Sequence, residues 1–156
     1  MSERMDEARK TGAVVVVDDD RVDRRVAERC LGRSKLADRA VTALSSGEQL
    51  LALLEEVKAG QAPMPALLLL DLSMPRITGL ELLARIRADP RLKDEPFIVV
   101  LSTSQRDDDR RRALELGAQR YEAKPSSSGE YVALFDSLVP VVSARCPASS
   151  GAPSAE

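Results

Sequence analysis

The chain of 156 residues is long enough for one domain of ordinary size and too short for a second sizeable core. Its 44% hydrophobic and 31% charged residues are typical of a globular protein and argue against wholesale disorder or a coiled coil. With 23 basic and 25 acidic side chains the net charge is -2, which leaves no overall basic field to hold nucleic acid or an anionic membrane.

The apolar runs and the cysteines exclude further classes of protein. Residues 14–17 and 67–70 form runs far shorter than the ~20 residues that a membrane-spanning helix needs. The charged N-terminal residues lack the apolar stretch of a signal peptide, so we expect a cytoplasmic protein in which Cys30 and Cys146 are free thiols. Because the chain contains no histidine, a Cys/His zinc site and a Cys-His or Ser-His nucleophile pair are excluded.

The first strand and helix are predicted from a run of valines and the stretch that follows it. Residues 14–17 are four valines followed by three aspartates, which is typical of a buried parallel strand. Val22, Val26 and Cys30 then recur at four-residue spacing among charged residues. This spacing predicts an amphipathic helix over 21–32 that places Cys30 in the core.

The middle of the chain repeats the alternation. Residues 39–44 predict a second strand, and the cap at 45–48 opens a second helix. Four leucines at 67–70 predict a third buried strand. After a turn over 73–79 comes a helix that Pro90 ends.

The last part of the domain completes the pattern. Residues 97–101 predict strand four, 107–116 a charged helix with aspartate at its start, and 119–123 strand five before Lys124. A last amphipathic helix follows. Five strands alternating with five helices predict an α/β domain with a parallel sheet, because right-handed crossovers place the helices on both faces.

Polar side chains follow four of the predicted strands. Ligands of such folds bind beyond the carboxyl ends of the strands, so side chains at these ends are candidate site residues. We expect them to gather at one edge of the sheet. They are Asp18 and Asp19 after strand one, Asp71 after strand three, Ser102 after strand four and Lys124 after strand five.

The chemistry of this set indicates phosphoryl transfer. Neighbouring carboxylates repel one another unless a cation lies among them, and Mg²⁺ is the natural candidate because it prefers oxygen ligands. A metal, a hydroxyl and an ammonium can each compensate one peripheral oxygen of a migrating phosphoryl group. Asp71, alone at the end of the central strand, is the predicted nucleophile and would take phosphate as an acyl phosphate.

From Val14 to Val142 the chain resembles the receiver domains of two-component response regulators. Each motif alone is weak, but five of them stand in the order of the family. They are Asp18-Asp19 for the acidic pair, Asp71 for the phospho-acceptor, Met74-Pro75 with Gly79 for the following turn, Ser102 for the switch hydroxyl, and Lys124-Pro125 for the lysine and its adjoining proline.

Further positions refine this resemblance. Tyr121 is similar to the aromatic switch residue that changes rotamer on phosphorylation, and we expect it to swing toward the interior as Ser102 is drawn to the phosphoryl group. The stretches at 72–75 and 101–104 resemble small stand-alone regulators found beside bacterial phytochromes. Ser73 stands where asparagine is frequent in the family, but the family's metal ligand at that position is the backbone carbonyl.

The resemblance implies a flavodoxin-like fold: a doubly wound five-stranded parallel sheet in the order 2-1-3-4-5 with five helices. It places the receiver domain at 12–144, between a flexible N-terminal segment, 1–11, and a disordered tail, 145–156. It also implies one bound Mg²⁺. The implied ligands are the carboxylates of Asp18, Asp19 and Asp71 and the backbone carbonyl of Ser73.

The resemblance further implies partners. The phosphoryl donor of the family is a phosphohistidine, and because this chain contains no histidine the donor is a histidine kinase or histidine phosphotransfer protein. We expect output through contact with a downstream protein target, since no room remains for an output domain. A homodimer through helix four, strand five and helix five is a further expectation. The protein would be a phospho-acceptor that assists its own phosphotransfer and dephosphorylation rather than an enzyme.

Two other functions are weighed against this one. A phosphorylation-independent, receiver-like scaffold becomes attractive only when acidic or lysine positions are lost, and none is lost here. A haloacid dehalogenase-type phosphatase fits the Asp-x-Asp of Asp18 and Asp20. That family needs a further acidic motif downstream of Lys124, where neither Glu130 nor Asp136 ends a predicted strand.

Other polar residues have simpler predicted roles. Asp20 is predicted to cap the first helix. Thr103 and Ser104 are predicted as loop hydroxyls. The acidic and basic run at 107–112 is predicted to be a solvated helix surface.

Overall fold

The structure is a computed structural model that describes residues 13–103 and 106–145. The predicted flexible segment 1–11, Ser104, Cys146 and the tail from 146 onward lie outside the described residues. Residue 145, predicted as the first residue of that tail, instead ends a helix. The helix extends that far because Val142, fully buried in the core, anchors its middle.

One parallel sheet forms the centre of the fold, in the strand order β2-β1-β3-β4-β5. The order and the fold class confirm the prediction, and β3 occupies the centre. The strands are β1 (Val14–Val17), β2 (Val41–Leu44), β3 (Leu67–Asp71), β4 (Phe97–Ser102) and β5 (Arg120–Ala123).

Helices cover both faces of the sheet, as the right-handed crossovers require. The predicted last helix is divided into two consecutive segments, because Pro140 has no N–H to continue the ladder of helical hydrogen bonds. Among the described residues, no helix is long and apolar enough to cross a membrane. The helices are α1 (Arg21–Gly32), α2 (Gly47–Lys58), α3 (Gly79–Ala88), α4 (Asp107–Glu115), α5 (Ser128–Ser137) and α6 (Val139–Arg145), with a 3-10 turn at Pro90–Leu92.

Two apolar clusters flank the sheet because successive strand residues point to opposite faces. One contains Val15 and Leu68 and packs against α2, α3 and α4. The other contains Val16 and Leu69 and packs against α1, α5 and α6. Cys30 is buried in the second cluster as predicted, with its Sγ 3.8 Å from the Ser128 carbonyl oxygen of α5.

A half-buried arginine, Arg87, donates hydrogen bonds to several segments at the amino edge of the sheet. Its Nε donates a hydrogen bond to the carbonyl of Gly117 at 3.0 Å, and its Nη1 donates to the carbonyl of Leu92 at 2.9 Å. Its Nη2 donates to the carbonyl of Pro96 and to Oε1 of Gln119, both at 2.9 Å. These bonds link α3 to the segments that enter β4 and β5.

Candidate functional site

Three of the predicted site residues, Asp18, Asp71 and Ser102, lie at the carboxyl edge of the sheet. Val17 pairs with Leu70 across β1 and β3, so Asp18 and Asp71 follow neighbouring positions. Asp71 pairs with Leu101, the residue before Ser102. The side chains of Asp18, Asp71 and Ser102 are buried, which is unusual for polar groups outside a site.

Three carboxylates form a group that fits a divalent cation. Oxygen atoms of Asp18, Asp19 and Asp71 lie within 4.8 Å of one another, with Asp19 exposed and the other two buried. Burial and then the neighbouring Asp18 charge raise the pKa of Asp71 to about 7. Burial also raises the pKa of Asp18. Both shifts favour the neutral forms of these carboxyl groups, and burial is the largest cause of each.

Lys124 reaches into this group from the end of β5. Its Nζ lies 2.7 Å from Asp23 Oδ2, 2.9 Å from Asp18 Oδ2 and 3.4 Å from Asp71 Oδ1. Burial acts to lower the pKa of Lys124, but the hydrogen bonds to Asp23 and Asp18 outweigh it and the net shift is upward. The lysine therefore stays protonated and is shared among carboxylates.

Asp23 is not among the predicted site residues, because α1 is rotated relative to the predicted apolar stripe. Val22, predicted to face the core, is 67% exposed. The buried stripe instead contains Ala27, Cys30 and Leu31. Asp23 precedes Ala27 by four residues, so it lies on the inward face at the top of the helix. That spacing was the available signal.

The segment after β1 holds Asp18 by several hydrogen bonds. The backbone N–H of Asp20 donates to Asp18 Oδ1 at 2.9 Å, and Arg24 Nη1 donates to the Asp18 carbonyl at 2.8 Å. Asp20 caps α1 as predicted, since its Oδ1 accepts from the N–H groups of Val22 and Asp23. The start of α1 therefore fixes both Asp18 and Asp23.

The turn between β3 and α3 requires Gly79. Its N–H donates to the Leu72 carbonyl at 2.9 Å. A Cβ at this position would lie 2.6 Å from the Asp71 carbonyl oxygen and 2.8 Å from Leu72 Cα. Only glycine allows α3 to begin so close to the strand that carries Asp71. The N–H of Ser73 donates to the Asp71 carboxyl group, whereas the role of the Ser73 carbonyl as a ligand stays a prediction.

The two predicted switch residues lie on the same face of the sheet. Tyr121 pairs with Val100, and Ser102 lies two residues beyond Val100 on β4. The Ser102 carbonyl accepts the Lys124 N–H at 2.9 Å. Tyr121 is buried, and its predicted swing toward the interior as Ser102 is drawn to a phosphoryl group stays a prediction.

An open cavity of about 420 Å³ adjoins the ammonium of Lys124. Its walls include Asp23, Tyr131, serines 126–128 and Thr103, which is exposed as a loop hydroxyl should be. Burial, reinforced by the Asp23 charge, raises the pKa of Tyr131 to about 12. The cavity gives water access to the outer side of the ion pair between Asp23 and Lys124.

The charged start of α4 is solvated, as predicted. Arg111 pairs with Asp108 at 2.9 Å, and both side chains are about two-thirds exposed. The partners are three residues apart rather than four, which are the two spacings that bring side chains together on a helix. Nothing in this contact involves the carboxyl edge of the sheet.

One family model covers both the sheet and the candidate site. The model of the response regulator receiver domain matches residues 14–136. The chain belongs to the receiver domain family. This membership decides against the haloacid dehalogenase-type phosphatase, because the acidic pair, the central aspartate and the lysine all lie within the matched receiver segment.

Curated relatives are receiver proteins of similar size. The receiver is 34% identical over 127 residues to the two-component response regulator ORR11 of Oryza sativa, covering 81% of this chain and 80% of ORR11. It is also 34% identical over 120 residues to the response regulator Rcp1 of Synechocystis, covering 76% of this chain and 80% of Rcp1.

Solved structures confirm the resemblance to phytochrome response regulators. The Mn²⁺-bound form of Rcp1 matches with a TM-score of 0.70 and 30% identity, covering 81% of this chain and 91% of that one. The phosphorylated cyanobacterial phytochrome response regulator RcpA matches with a TM-score of 0.71 and 29% identity, covering 81% of this chain and 90% of that one.

Proposed function

We propose that this receiver accepts a phosphoryl group on Asp71 from the phosphohistidine of a histidine kinase or histidine phosphotransfer protein. The observation that carries the proposal is the position of the Asp71 carboxyl group. It is buried at the end of the central strand, 3.4 Å from the Lys124 ammonium and grouped with the carboxylates of Asp18 and Asp19. The phosphorylated state of the relative RcpA supports it.

Mg²⁺ is the proposed cofactor, held by the carboxylates of Asp18, Asp19 and Asp71 and by the backbone carbonyl of Ser73. The three closely spaced carboxylates are the hard oxygen ligands that this ion prefers. Burial and the neighbouring Asp18 charge raise the pKa of Asp71 to about 7, and a bound cation would favour its ionised form. When bound, the ion would offset negative charge on the phosphoryl oxygens. Rcp1 binds Mn²⁺.

Asp71 is the proposed nucleophile. One carboxylate oxygen forms a bond to phosphorus as the P–N bond of the donor breaks, and the bonding electron pair returns to the imidazole nitrogen. Lys124 and Ser102 then donate hydrogen bonds to the peripheral oxygens of the acyl phosphate. Attack of water on phosphorus later restores the Asp71 carboxylate and releases inorganic phosphate. The receiver is thus a phospho-acceptor that assists both transfers, rather than an enzyme.

The proposed output is contact with a downstream protein, with homodimerisation through α4, β5 and α5 as one form of it. Ser102, drawn toward the phosphoryl group, would change the packing beside Tyr121, which lies on the same sheet face. Such a change biases an equilibrium between two surface arrangements. A cytoplasmic location accords with the free thiol of Cys30.

Phosphorylation with acetyl phosphate and Mg²⁺, followed by intact mass measurement, tests the proposal. Wild type should gain one hydroxylamine-labile phosphoryl group, and Asp71→Asn should gain none while keeping its fold. Asp20→Asn is the matched control, because asparagine also caps helices and Asp20 lies at the same edge. Labelling of Asp71→Asn to the level of wild type would refute the assignment.

Sedimentation velocity with and without beryllofluoride tests the output. Wild type should change its assembly state or its affinity for a partner, whereas Ser102→Ala should accept phosphate without this coupling. A wild type that is indifferent to beryllofluoride would favour the phosphorylation-independent scaffold.

A further inference from the structure

Lys124 is held closest not by Asp71 but by Asp23, a residue of α1. The Nζ–Oδ2 distance to Asp23 is 2.7 Å, against 3.4 Å from Nζ to Asp71 Oδ1. In the unphosphorylated receiver the ammonium is therefore drawn to the α1 side of the site. The proposed phosphoryl group would be attached on the other side, at Asp71.

The two closest partners of Lys124 differ in their access to water. The Asp18 side chain is 9% exposed, whereas the Asp23 side chain is 35% exposed and lines the cavity beside Lys124. A buried carboxylate that loses its cation pays a large desolvation penalty, but a carboxylate that water reaches does not. Asp23 is therefore the partner that Lys124 can leave at low cost.

An ammonium has three N–H donors, and here they face the carboxylates of Asp18, Asp23 and Asp71. A phosphoryl group on Asp71 adds charge and strong acceptor oxygens within reach of Lys124. A short bond to those oxygens draws the ammonium toward Asp71 and away from α1. The bond to Asp23 is then the one that lengthens.

We propose that Asp23 is a positioning residue that holds Lys124 in the unphosphorylated receiver and is exchanged for the phosphoryl group when Asp71 is modified. The inference rests on the proposed function of Asp71. Because the bond between Asp23 and Lys124 exists mainly in one state, it stabilises that state relative to the phosphorylated one. Removing it shifts the balance toward the phosphorylated state.

Beryllofluoride binding in saturating Mg²⁺ measures this balance. Asp23→Asn keeps the shape of the side chain and removes its charge, and it should lower the half-saturating beryllofluoride concentration about threefold to fivefold, as expected for a partly exposed ion pair. Asp23→Ser, which also lacks the carboxylate, should show the same gain. Glu28→Gln is the matched control, because it removes one negative charge from the exposed face of the same helix.

The ¹H–¹⁵N signal of the Lys124 ammonium, assigned with Lys124→Arg, gives a second readout that does not depend on phosphate. It should shift in Asp23→Asn without beryllofluoride and stay unchanged in Glu28→Gln. Addition of beryllofluoride should change the chemical shift of the Lys124 ammonium more in wild type than in Asp23→Asn. A merely structural role of Asp23 would not change this signature.

The outcomes separate the two proposals. A wild type that ignores beryllofluoride overturns the proposed function and the exchange together. A wild type that responds, with equal or weaker binding in both Asp23 variants, overturns the exchange alone. An ammonium signal that is identical in wild type and Asp23→Asn shows that Asp23 does not hold the lysine, and it too overturns the inference.

Discussion

The two edges of the sheet each hold a cation, and they satisfy it in opposite ways. At the amino edge the Arg87 guanidinium donates to neutral oxygens, three of them backbone carbonyls. At the carboxyl edge the Lys124 ammonium is surrounded by the carboxylates of Asp18, Asp23 and Asp71. Arg87 donates hydrogen bonds to uncharged groups, whereas Lys124 faces three carboxylates and carries only one positive charge.

The amino edge of the sheet therefore contributes to stability, whereas the carboxyl edge is suited to binding. The hydrogen bonds of Arg87 to backbone carbonyls and to Gln119 connect segments of the fold. Crowded carboxylates raise one another's pKa and are relieved only by a proton or a further cation. The carboxyl edge is therefore the end of the molecule at which binding changes the balance of forces.

Arg87→Met should produce the largest loss of stability and so test the amino edge. Methionine keeps an apolar stem against Gly117 but removes every donor, leaving the partner carbonyls without this bond. We expect the free energy of unfolding to fall by about 2 to 4 kcal/mol in urea denaturation. Phosphate uptake per folded molecule should stay unchanged.

The control for this variant is Arg85→Met on the same helix, where the arginine is exposed. It should change the free energy of unfolding by no more than about 0.5 kcal/mol. Equal losses in the two variants would mean that the hydrogen bonds of Arg87 contribute nothing specific.

Gly79→Ala should disturb the carboxyl edge through its backbone. The added Cβ would overlap the carbonyl oxygen of Asp71, so β3 and α3 must separate, at a cost of about 1 to 3 kcal/mol. Calorimetric titration should also show weaker binding of Mg²⁺, because Asp71 moves with the strand. Gly32→Ala has no atom within 4 Å of the new Cβ and should be neutral or slightly stabilising. Unaltered Mg²⁺ affinity in Gly79→Ala would contradict the role assigned to the turn.

Without Mg²⁺, the pH dependence of the free energy of unfolding should reveal the effect of the closely spaced carboxyl groups. The pKa of Asp71 rises from an ordinary 3.8 to about 7 on folding, so the folded state binds the proton more tightly. Stability therefore falls as pH rises between these values, by at most about 1.4 kcal/mol per pH unit from this group. Urea midpoints in a chelator from pH 5 to 8 should fall in wild type and fall less in Asp71→Asn. Parallel curves for the two proteins would show that Asp71 is not the source.

Arg111→Ala should have the smallest effect. Its ion pair with Asp108 lies on the solvent face of α4, and both side chains are largely exposed. Exposed pairs contribute about 0 to 1 kcal/mol, so the thermal midpoint should barely change. A loss comparable to that of Arg87→Met would mean that exposed charge matters as much as the cations at the two edges.

The sequence predicts the sheet and most of the site because both depend on strand ends. Runs such as the valines of β1 and the leucines of β3 stop at aspartate, and parallel strands bring such ends to one edge. The grouping of Asp18, Asp71 and Lys124 follows from that rule alone. The strand order came from the family resemblance, since connections of this length do not specify it.

The features that the sequence did not predict depend on the rotation of a helix about its axis and on hydrogen bonds to backbone groups. A turn of α1 by one position exchanges Val22 for Asp23 on the inward face, and both spacings look amphipathic. Arg87 reads as an ordinary surface arginine because its acceptors are carbonyls, which every residue has.

The buried thiol of Cys30 allows the opening of the contact between α1 and α5 to be measured. It is 1% exposed and lies against the Ser128 carbonyl at the start of α5, so a thiol reagent reaches it only when these helices part. With Cys146 replaced by serine, the labelling rate counts those openings. Because α1 carries Asp23 and α5 begins four residues after Lys124, the openings that expose Cys30 occur between the same two segments that the ion pair of Asp23 and Lys124 connects.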